Sequence, residues 1–184
     1  MGFENINLPP KVEKKEDKIT EKQKIWDETA KKVEKITDGL GLGIDQKIKE
    51  TVIALIVNGF STDASCEGHI EKEHGLPFPW VDIYAPEPEG WQKSDELKNQ
   101  WRQENLKQRE KMQKCLKEFY SQRKVDDEEL ILQNRGALGA FRIQSQGAER
   151  MENRPKQELQ EKINLYRKEM QDFSDFLKEK YFSQ

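Results

Sequence analysis

The run Val52-Ile53-Ala54-Leu55-Ile56-Val57 is the longest strongly apolar stretch of the chain, and it limits the folds open to it. Ile44 and Ile48 precede it at helical spacing, and Asn58-Gly59 supplies a stop. The pattern predicts a helix over 45–58 with Asp45 as its N-cap. Being the most hydrophobic helix of the chain, it belongs in a core, covered by other elements. The run is also far short of the roughly 20 residues that a membrane span needs.

The cover must come from a few segments. Leu159, Ile163, Tyr166, Met170, Phe173 and Leu177 step by four and three, with Pro155 near the first turn, and predict a helix over 155–182. Its stripe is too short for a long coiled coil. Docking on the domain's own sheet is the first expectation, and a homodimer through 155–182 is the alternative. Strands are expected around 60–66, 80–84, 129–133 and 139–145, the last two as a hairpin about Asn134-Arg135-Gly136. Arg142 alternates away from Phe141 and Ile143 and is expected to face solvent, with the site cleft as the alternative. A helix capped by Ser94 runs over 94–122, and its middle, Arg102–Lys111, has Leu106 as its one apolar residue. That part should project into solvent or lie across an edge. The fold class is α+β, a small, mostly antiparallel sheet covered by helices, with long charged helices in the C-terminal half.

Only 34% of the 184 residues are apolar and 36% are charged, so part of the chain must be solvated helix or tail. Residues 1–18, with Pro9-Pro10 and a Lys/Glu-rich run, read as a mobile arm, and 19–184 as one domain with a site-bearing core about 44–86. A helix can start at Thr20 and should stop near Asp38-Gly39. Gly39-Leu40-Gly41-Leu42-Gly43 lacks the GK[ST] of a phosphate loop and reads as a linker. The net charge of -3 comes from 32 basic and 35 acidic side chains, closely mixed, which argues against a broad nucleic-acid surface. The N-terminus shows no signal-peptide pattern, and two unpaired-looking cysteines suit a reducing compartment, so a cytoplasmic location is expected.

The chemistry concentrates in Ser65-Cys66-Glu67-Gly68-His69. The chain has two cysteines and two histidines, and Cys66, His69 and His74 fall within nine positions. Gly68 allows a tight turn at a strand end, which would bring the Cys66 thiol and the His69 imidazole to one side. A catalytic reading takes Cys66 as a thiolate favoured by His69, with Glu67 as acid or base and Glu71 in support. A metal reading takes Cys66, His69 and His74 as zinc ligands, with Asp63, Asp82 or Cys115 as a fourth if the site is closed. A third reading makes SCEGH a structural turn and the protein a helix-mediated interaction protein. Cys115, on a helix stripe beside Leu116, reads as packed.

From Gly43-Ile44-Asp45 through IKETVIAL, NGFSTDASCEGH and HGLPFPWVDI the chain resembles a group of short bacterial proteins. In these a core helix leads to an SCEGH turn and then to a Pro-Trp-Val strand; the likeness carries no activity. Thr62–His69 also keeps the Ser-Cys-x-Gly part of the Thr-x-Ser-Cys-Ser-Gly-Arg motif of the wybutosine tRNA-modification methyltransferase family. Glu67 and His69 stand where that family has serine and arginine. This second resemblance implies S-adenosylmethionine as cofactor and tRNA as substrate. The residues themselves point to a small-molecule or nucleotide ligand, or a reaction, centred on Cys66 and His69.

Overall fold

The computed structural model describes residues 15–71, 75–151 and 155–184. Helices α1 (Lys15–Val33), α2 (Lys49–Val57), α3 (Asp95–Phe119) and α4 (Lys156–Ser183) surround strands β1 (Thr62–Cys66), β2 (Trp80–Ile83), β3 (Leu130–Arg135) and β4 (Ala140–Ser145). The strands form one antiparallel sheet in the order β1-β2-β4-β3. This is the α+β arrangement expected from the sequence. Among the described residues no helix is long and apolar enough to cross a membrane.

Antiparallel register decides which side chains meet. Val81 pairs with Ile143 and Ile83 with Phe141, and all four are fully buried on the face turned to the helices. Met112, Cys115, Leu116 and Phe119 of α3, the apolar run of α2, and Met170, Phe173 and Leu177 of α4 complete that core. Phe173 meets Phe119 with ring centroids 5.3 Å apart. The α4 stripe is thus occupied inside the domain, against α2 and the end of α3. Cys115 is packed, as its stripe position implied.

Several expectations are corrected. Arg142 does not face solvent. Its register partner is Asp82, whose two carboxylate oxygens accept from Nε and Nη2 at 2.7 and 2.8 Å, and its guanidinium lies 3.6 Å from the centroid of Trp80. A buried pair with both hydrogen bonds made is tolerated in a sheet, whereas losing one partner would strand a charge. The middle of α3 does not project either. Asn105 is buried, accepting from the Ala85 amide and donating to the Leu138 carbonyl, while Arg109 donates to Asn134 and to the Leu132 carbonyl. The polar side chains that suggested solvent here satisfy loop and strand backbone. Asn134 and Arg135 belong to β3, so the hairpin turns over residues 136–139, with the expected Gly136 and also Gly139 at positive φ.

A further correction positions the site. Asp45 does not cap α2, which starts at Lys49 without a side-chain cap. Helix α1 also ends early, at Val33, because Asp38 closes a loop of its own. Its Oδ1 accepts from the amides of Leu40 and Leu42, and Thr37 bridges Gly43. At the other end α1 begins at Lys15, inside the segment read as an arm; residues 1–14 lie outside the described residues.

Phe173→Ala should lower the unfolding free energy by about 3–5 kcal/mol, the usual cost of emptying a buried aromatic site. Denaturant unfolding gives the value, and a loss below about 1 kcal/mol would show that α4 is not part of the core.

Candidate functional site

Strand β1 ends at Cys66, whose cross-strand partner is Trp80. The chain then turns sharply at Gly68, where φ is +85°. A Cβ on Gly68 would sit 2.7 Å from the Phe78 carbonyl carbon and 3.0 Å from Ile163 Cδ1, so both the backbone angle and the space demand glycine. The Gly68 amide donates to Cys66 Sγ at 3.3 Å, and the His69 amide donates to the Leu76 carbonyl at 2.8 Å.

Arg167 of α4 holds this turn from outside. Its Nε donates to the Glu67 carbonyl at 2.9 Å, and its Nη2 donates to the Gly68 carbonyl at 2.6 Å and to Glu67 Oε1 at 3.2 Å. The second carboxylate oxygen of Glu67 accepts from the Lys47 amide at 2.9 Å. Glu67, a candidate acid or base from the sequence, has both oxygens engaged in fastening the turn to α4 and to the segment before α2. Glu71 pairs with Lys156 at 3.6 Å.

Asp45 occupies the place beside Cys66 and His69. Its Oδ2 accepts from the Glu67 amide at 3.0 Å and lies 3.1 Å from His69 Nε2. One ligand atom from each of Asp45, Cys66 and His69 lies within 4.8 Å of the others. Of the zinc set read from the sequence, Cys66 and His69 come together, and His74 lies outside the described residues. Of the suggested fourth ligands, Asp82 is bound to Arg142, Cys115 is in the main core, and Asp63 is exposed on β1.

Burial pushes the Cys66 thiol above its ordinary value, and the carboxylates of Asp45 and Glu67 add to that, against the lowering effect of the Gly68 and Leu76 amides. Without a cation nearby, the cysteine is therefore held as a thiol at neutral pH rather than as the activated nucleophile that a Cys-His pair suggests.

A cavity of about 400 Å³ opens between β1 and the loop closed by Asp38. Ile36, Leu42, Ile44 and Trp80 supply apolar wall, while Asp45 and Cys66 bring the cluster to its edge. The register of β1 against β2 is irregular between Thr62 and Ser65, which leaves Asp63 and Ala64 exposed on this side. Gly75 lines the same cavity, and a Cβ there would lie 3.2 Å from Cys66 Sγ and 3.4 Å from His69 Cδ2. A side chain at Gly75 would crowd the sulfur and touch the imidazole, on a backbone with φ of +134° that side chains rarely adopt.

Sequence reasoning did not find Asp45 or Arg167 as site residues. Asp45 looked like a helix cap, and Arg167 sits among the charged residues of α4 with no local pattern to single it out. No protein-family model matches the chain, and comparisons with curated proteins and with solved structures give no match either.

In a Cys115→Ala background, leaving Cys66 as the sole thiol, the pH profile of iodoacetamide labelling of metal-free protein should have its midpoint above the ordinary 9.0. A midpoint below 9.0 would mean that His69 does activate the thiol.

Proposed function

We propose that the protein binds a small molecule in the cavity between β1 and the Asp38 loop, with the polar end of the ligand against Asp45, Cys66 and His69. The observation that carries this reading is the juxtaposition of that three-residue cluster with an apolar-walled cavity of about 400 Å³, the size at which small ligands are enclosed. A purely structural SCEGH turn gives no account of the cavity beside it.

The lining selects among ligands. Asp38, Asp45 and Asp63 contribute to it, and among the described residues no Lys or Arg does. A nucleotide or tRNA phosphate would meet carboxylates there, so a neutral or cationic molecule with an apolar part fits better. Leu42 is 63% exposed at the cavity wall, and Ile36 is exposed with it, as suits side chains that a ligand would cover. Whether the bound molecule is also transformed depends on what joins Asp45, Cys66 and His69 at the polar end.

The neutral probe N-phenyl-1-naphthylamine should gain fluorescence on binding the parent protein. Leu42→Asp should weaken that binding by about tenfold at an unchanged melting temperature, because the new carboxylate enters an apolar contact at an already exposed position. Absence of probe binding, or equal binding by the variant, would remove the cavity as a ligand site.

A further inference from the structure

We infer that Asp45, Cys66 and His69 form a binding site for one divalent zinc-class cation, with a fourth coordination position, filled by none of the described residues, open toward the cavity. This deepens the small-molecule reading, since the open position is where a polar end of the ligand would reach the metal. Geometry is the first support. Zinc–nitrogen and zinc–oxygen bonds of about 2.0 Å at the tetrahedral angle place two ligand atoms about 3.3 Å apart, and a sulfur ligand about 3.5 Å from either. Asp45 Oδ2 and His69 Nε2 are 3.1 Å apart, and the three-atom set fits within 4.8 Å. Closing the set on an ion asks a side-chain adjustment of roughly 1 Å.

The surroundings of the sulfur are a second, independent support. The Gly68 amide donates to Sγ, and that turn is locked by a glycine with no room for a side chain and by the Arg167 clamp. An amide aimed at sulfur stabilises thiolate, and the same fastening fixes Asp45 through the Glu67 amide. Gly75 keeps the space against Sγ and the imidazole clear.

Charge gives the third support. Glu67 is balanced by Arg167, so the anionic groups left within the cluster itself are the Asp45 carboxylate and, once deprotonated, Cys66. Their sum is minus two, which a dication neutralises with His69 as the neutral third ligand. Binding replaces the thiol S–H bond by a sulfur–metal bond and releases that proton to solvent, with no change in oxidation state. Two hard or borderline ligands plus one thiolate favour zinc or cobalt(II) over calcium or magnesium, which take oxygen ligands. Three protein ligands with an open position are the arrangement of a catalytic zinc rather than a structural one.

The full chain, treated with EDTA and kept reduced, is titrated with Co²⁺ and followed by absorption. The expected result is one equivalent of cobalt, a sulfur-to-cobalt charge-transfer band in the near ultraviolet, and displacement of the colour by Zn²⁺. Cys66→Ser should abolish the band. Asp45→Asn, which keeps an acceptor for the Glu67 amide and so should fold, and His69→Gln should each weaken cobalt binding by more than the ~10–100-fold that a merely supporting residue costs. Cys115→Ala should leave the titration unchanged. Added imidazole should shift the visible cobalt bands if the fourth position is open; unmoved bands would overturn that part. No charge-transfer band, a band that survives Cys66→Ser, or an Asp45→Asn titration equal to the parent's would overturn the site. Reading the naphthylamine probe of the small-molecule reading in the presence of EDTA lets the cavity and the metal fail separately.

Discussion

One side chain ties the candidate site to the fold. Arg167 spends its guanidinium on the carbonyls of Glu67 and Gly68 and on the Glu67 carboxylate, so the turn after β1 is fastened to the longest helix rather than left as a loop. α4 is in turn held by the core through Ile163, Met170, Phe173 and Leu177, all at most 1% exposed. Ile163 lies directly beneath Gly68, so the residues that bury the helix also support the turn. Rigid placement of this kind is what a binding site needs, since loosely held side chains lose geometry to entropy. The same contact neutralises Glu67, which leaves Asp45 as the carboxylate nearest to Cys66 and His69 that can answer to a ligand.

Two acidic residues at one turn thereby acquire different roles from their partners alone. Glu67 meets a guanidinium and a backbone amide and becomes part of the scaffold. Asp45 meets a backbone amide and the His69 imidazole. The buried thiol beside them is disfavoured as an anion by its surroundings, so a cation would be the natural complement of the site. The apolar walls contributed by Ile36, Leu42 and Trp80 then limit what can approach that complement.

What was legible in the sequence were the features written in local periodicity. The stripe of α4, the apolar run of α2, the Ser94 cap of α3 and the SCEGH turn depend on spacings of a few residues, and each appears in the structure near its expected place. What was not legible depends on contacts far along the chain. Asp45 accepts from the Glu67 amide across 22 residues and Arg167 donates to the Glu67 carbonyl across 100, separations on which no helical or strand period bears. Arg142 and Asn105 misled for a related reason. A polar residue on a strand or helix reads as solvent-facing unless its partner is known, and Asp82 and the Ala85 amide come from other segments. The loop at Asp38 ended α1 early because an aspartate can offer backbone amides a better local alternative than one more helical turn.

Zinc K-edge X-ray absorption of the full chain loaded with one equivalent of Zn²⁺ tests the central claim most directly. The account predicts a first shell with a single sulfur at about 2.3 Å and the remaining ligands nitrogen or oxygen at about 2.0 Å, the sulfur being lost in Cys66→Ser. A shell with no sulfur, or one in which two sulfurs show that Cys115 or a second molecule has been recruited, would contradict it.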